Sequence, residues 1–80
     1  MKWKNETRHG ETVGAETRIS FLKLSVHHYI GFGNIWFTTC YGVFNKFELG
    51  EMQLKQAKDM AMAKLQKKLQ EAIDIITEKQ

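Results

Sequence analysis

The chain has 80 residues, with 12 Lys and Arg against 9 Asp and Glu, a net charge of +3, and 42% apolar residues. That length permits one domain whose core supplies only about 3–5 kcal/mol unless something staples it, and a single cysteine excludes an internal disulfide. The three histidines and one cysteine scattered between His9 and Cys40 lack the close ligand pairs of a structural zinc site, so neither metal nor cofactor is expected.

No apolar run approaches the roughly 20 residues that span a bilayer. The opening stretch MKWKNETRHGET has no apolar core after its lysines, unlike a secretory signal. A reduced, cytoplasmic setting with no membrane partner is the expectation. The mild positive charge permits an acidic partner without requiring one.

Residues 1–17 are polar, with Glu-Thr recurring at Glu6-Thr7, Glu11-Thr12 and Glu16-Thr17, and with Trp3 between Lys2 and Lys4. Such a segment buries too little to offset its ordering entropy, which predicts a disordered tail and leaves 18–80 as a single ββ(β)α domain.

From Arg18 onward the apolar period becomes two. Leu22, Leu24, Val26, His28 and Ile30 fall on one face, and Phe21, Lys23, Ser25, His27 and Tyr29 on the other. A second run separates Ile35, Phe37, Thr39, Tyr41 and Val43 from Trp36, Thr38, Cys40 and Gly42. The connecting GFGN suggests a hairpin with Gly33-Asn34 at the centre of its turn. That turn pairs Phe32 with Ile35, Ile30 with Phe37, His28 with Thr39 and Val26 with Tyr41. A four-residue loop would pair Val26 with Thr39 instead. Both registers put the same residues on the same faces. Phe47 to Leu49 then reads as a short third strand.

From Met52 to Thr77 the period is 3.6, with Leu54, Ala57, Ala61, Leu65, Leu69, Ala72 and Ile76 in one stripe widened by Met62 and Ile73. The run contains neither Gly nor Pro and predicts a helix roughly 39 Å long. Two strands and a fragment cannot cover such a stripe, so a homodimer is expected to complete the fold. The fold class is therefore α+β: an antiparallel hairpin with a short third strand, packed against one long C-terminal helix.

The hairpin carries the residues that look most like a site. His27 and Cys40 fall on one face in both expected registers, and an imidazole beside a thiol is the start of a nucleophile. Only Ser25 and Thr38 accompany them as polar neighbours, and a flat sheet face makes a poor pocket, so no enzyme is expected. His27 and His28 point to opposite faces, which argues against a shared metal. His28, among Val26 and Ile30, reads as a satisfied core histidine. Tyr29, Trp36, Phe21 and Phe44 make the second face aromatic, and an exposed aromatic face marks a protein interface. The helix lysines Lys55, Lys58, Lys64, Lys67 and Lys68 are the alternative, a phosphate-contacting row for nucleic acid.

The strand-strand-helix order, with LKQAKDMAMAKLQ opening the helix, resembles the second half of a double-stranded RNA-binding domain. The resemblance implies phosphate contacts by Lys55 and Lys58. The first helix of that domain has no counterpart here, and GEMQL stands where its Gly-Ser-Lys-Lys stretch would be. The layout is also similar to that of small proteins encoded by phages and mobile elements. The expected function is a non-enzymatic protein-binding or regulatory module acting through the aromatic hairpin face, the alternative being a nucleic-acid-binding module.

Overall fold

A computed structural model of the chain describes residues 2–31 and 33–78. Five strands, β1 (Lys4–Arg8), β2 (Glu11–Ile19), β3 (Leu22–His28), β4 (Ile35–Cys40) and β5 (Phe44–Glu51), precede one helix, α1 (Leu54–Glu78). All strand pairs are antiparallel and the sheet order is β1-β2-β3-β4-β5, a meander. The protein is thus α+β with a five-stranded sheet rather than a hairpin and a fragment.

Two of those strands occupy the segment that composition reads as a disordered tail. His9 (φ 53°) and Gly10 (φ 75°) both adopt the left-handed conformation, as a two-residue turn between strands of ordinary twist requires. In β2, Val13, Ala15 and Thr17 are buried on one side, alternating with Glu16 and Arg18 on the other. The Thr17 hydroxyl donates to the Lys2 carbonyl at 2.7 Å, which ties the start of the chain to the sheet. The exposed edge strand β1 carries Lys4, Glu6 and Arg8, charges that discourage pairing with a further strand.

The helix lies across one face. Ala57, Ala61 and Leu65 are buried against Ala15, Leu24, Val26, Trp36 and Cys40, and the two alanines let helix and sheet approach closely. The Trp36 indole donates to the Met52 carbonyl at 2.9 Å, and the Met52 amide donates to the Asn34 carbonyl at 2.9 Å. Gln53 caps the first turn. Its carbonyl accepts from the Ala57 amide, and its own amide donates to the Gln56 side chain at 3.1 Å, half of a capping box.

The register of β3 against β4 differs from both expected ones. Val26 pairs with Thr38, Leu24 with Cys40 and His28 with Trp36. The slip is three residues from one expectation and one from the other. Both are odd, so every β4 side chain changes face. Trp36, Thr38 and Cys40 therefore face the helix and are buried, while Ile35 and Phe37 face away. The connection spans residues 29–34 instead of a tight turn. The expected partnership of Phe32 with Ile35 lies outside the described residues.

Candidate binding surface on the open sheet face

With α1 on one side, the other side of the sheet has no covering element among the described residues. Register places Glu6, Gly14, His27, Phe37 and Glu48 in one row across all five strands. His27 and Phe37 stack with ring centroids 5.8 Å apart at 22°. Tyr29 closes the group, 5.5 Å from His27 in an edge-on arrangement and 5.7 Å from Phe37. Three rings thus form one patch, of which Tyr29 is 46% exposed.

Gly14 is paired with His27 beside this patch. A Cβ there would come within 2.8 Å of the Val26 carbonyl oxygen, so the position has no room for a side chain. The open face also carries a groove of about 490 Å³ that runs from Lys4 and Glu16 past Lys23 and Ser25 to His27 and Tyr41. Glu16 and Lys23 bridge its floor at 2.8 Å, and the Lys23 hydrogen bond holds the Glu16 carboxyl below its usual range.

Burial of its ring holds His27 below the ordinary imidazole range. The Lys46 charge adds to this, Glu6 opposes it, and His28 adds to it again. Unfolding returns the ring to an ordinary value near 6.5. As pH falls through that value the unfolded chain takes up the proton first, so the folded state loses stability; above it there is no His27 contribution. We expect the denaturant midpoint to fall between about pH 7 and pH 5, and the drop to be smaller in His27→Gln. An unchanged drop in the variant would place the effect elsewhere.

The residues singled out from sequence are divided by the fold. Tyr29 belongs to the open patch. Trp36 does not: it is 3% exposed in the helix-side core, its ring 4.5 Å from that of His28. Phe44 is half-buried against the same core, and Phe21, 86% exposed, sits in the β2–β3 turn at the end of the sheet. The aromatic face expected from Tyr29, Trp36, Phe21 and Phe44 is therefore corrected to His27, Tyr29 and Phe37. Phe37 and His27 were missed as a pair because the expected register set them on opposite faces.

The same slip separates His27 from Cys40. Cys40 is fully buried on the helix side, and burial pushes its thiol up, away from the thiolate a nucleophile needs. His28 keeps its expected place on the apolar face. Its Nε2 lies 3.0 Å from the Thr12 carbonyl, which can only accept, so Nε2 carries the proton. Among the described residues its buried Nδ1 finds no hydrogen-bond partner, and no cluster of three His, Cys, Asp or Glu is suited to a metal ion.

The helix lysines do not form one row. Lys58 reaches over Trp3, 5.6 Å from the ring centre, and donates to the Asn5 side chain at 3.2 Å, at the β1 edge. Lys64 lies 3.5 Å from the ring centre of Phe47 and 5.6 Å from that of Phe44, at the β5 edge. Lys68 pairs with Glu71 at 3.7 Å, while Lys55 and Lys67 are exposed. No helix among the described residues is long and apolar enough to cross a membrane. No known family, curated protein or solved structure matches this chain.

Proposed function

We propose that the protein is a non-enzymatic binding module that docks a protein partner on the open face of its sheet. The observation that carries this reading is the stacked group of His27, Tyr29 and Phe37 on a face that no element of the described chain covers. Rings bring large contact area at low conformational cost, and such positions dominate interface energetics. Lys4, Lys23, Glu6, Glu16 and Glu48 surround them as a mixed-charge rim, suited to steering and register rather than to bulk affinity.

The test is capture and identification of a partner by crosslinking, then titration of that purified partner against wild type and Tyr29→Ala/Phe37→Ala. The expected result is at least a roughly hundredfold loss, as for two interface anchors of about 1.4–2 kcal/mol each, with an unchanged helical circular-dichroism signal. Wild-type affinity in the double variant would overturn the reading.

The second reading is nucleic-acid binding through Lys55, Lys58, Lys64, Lys67 and Lys68, supported by the net charge of +3. It is the weaker one, because Lys58 and Lys64 are held over aromatic rings at opposite sheet edges. Its signature is affinity for DNA or RNA that falls steeply with salt, with a slope flattened by lysine-to-glutamine changes.

A further inference from the structure

The sheet stops covering α1 halfway along. The helix begins beside Trp36, and at Lys64 it has reached Phe44 and Phe47, level with the end of β4. Leu65 is 1% exposed, yet every residue from Gln66 to Glu78 is exposed. The apolar stripe does not stop with the sheet. Leu69 is 37% exposed, Ile73 and Ile75 each 53%, and Ile76 61%. Beyond Leu65, which the sheet already covers, Leu69, Ala72 and Ile76 follow at intervals of three and four, the seam spacing of a helix that packs along another helix.

We infer that this projecting half of α1 pairs antiparallel with the same segment of a second copy of the chain. Two features select that occupant and that direction. The first is self-complementarity. With a two-fold axis between Gln70 and Glu71, Leu69 lies level with Ala72 of the second copy, and the symmetry repeats that layer, so a large residue meets a small one on both sides of the axis, as an isologous contact requires.

The second feature is charge. Lys67 and Lys68 occupy the first half of the projecting segment, and Glu71, Asp74 and Glu78 the second. Antiparallel pairing lays the basic half of one helix beside the acidic half of the other and opposes the helix dipoles. Parallel pairing lays like charge on like.

The seam is only about 12 Å long over residues 69–76, which is short for two helices alone. The arrangement extends it. The far end of the second helix returns to the end of the first sheet, where the β2–β3 turn presents Phe21, 86% exposed, and Tyr41, 78% exposed, follows β4. Ile75 and Ile76 of the second copy would meet them there. The contact takes Tyr41 at one end of the open-face groove but leaves His27, Tyr29 and Phe37 clear, so it is independent of the reading given above for that patch.

Sedimentation equilibrium across the micromolar range tests the pairing. The expected mass is twice the 9.3 kDa of one chain, falling to that of one chain in Leu69→Glu with the tryptophan emission unchanged. A single-chain mass for the wild type overturns the proposal, and so does a dimer that survives both Leu69→Glu and Ile76→Glu. Direction is read from a nitroxide on Thr77→Cys, Cys40 being fully buried. Antiparallel pairing sets the two labels more than about 20 Å apart, whereas parallel pairing sets them near the interhelical distance of about 10 Å. The shorter distance would overturn the antiparallel assignment.

Discussion

Trp36→Ala is expected to unfold the domain. The side chain is 3% exposed, packs against His28 and donates its indole proton to the Met52 carbonyl at the threshold of α1. Truncating a buried tryptophan costs about 3–5 kcal/mol, and the stranded Met52 carbonyl adds a further penalty if water does not reach it. A domain of this size holds about as much in total. Chemical denaturation followed by circular dichroism should show little or no cooperative transition in the variant, while Trp36→Phe retains one at a lower midpoint. A Trp36→Ala chain as stable as wild type would contradict its placement in the core. The same reasoning warns against reading a loss of binding in that variant as evidence for a docking role.

The second large effect is a contrast along one helix. Leu65→Ala removes a fully packed side chain and should cost about 2–4 kcal/mol. Leu69→Ala, one turn further on and 37% exposed, should cost under about 1 kcal/mol when measured at dilutions that keep chains apart. Equal costs would mean that the sheet reaches further along α1 than Leu65. A growing cost for Leu69→Ala with rising concentration would instead locate its contribution between chains.

The helix was legible from its 3.6-residue period, because its apolar positions are strong and nothing interrupts them; 52–77 was expected and Leu54–Glu78 is found. The first two strands were not. β1 is exposed throughout, and the inward positions of β2 are Val13, Ala15 and Thr17, residues too small or too polar to outweigh the surrounding Glu, Arg and Gly in a reading based on composition. The alternation was present, but weak in amplitude.

The open-face site was legible only in part, and the reason lies in β4. Ile35, Phe37 and Thr39 on one side and Trp36, Thr38 and Cys40 on the other offer comparable hydrophobicity, so periodicity alone cannot say which set turns inward. Turn chemistry favoured Gly33-Asn34, while the protein uses a longer connection that lets Trp36 reach the helix. Of the rings expected on the second face, Tyr29 is found in the open patch, while Trp36 and Phe44 lie with the helix-side core. Which rings supply it depended on a register that local rules left open.

The plain meander order has a consequence for synthesis. Each strand pairs with the one made just before it, across short connections, so the sheet can zip up as the chain emerges without waiting for distant segments. The helix follows last. Until Ala57, Ala61 and Leu65 have emerged and docked, Leu24, Val26, Trp36 and Cys40 lie bare on a finished surface. The sheet thus presents a sticky apolar face for as long as the helix is undocked, and a chain cut after Glu51 should be captured by chaperones more readily than the full chain.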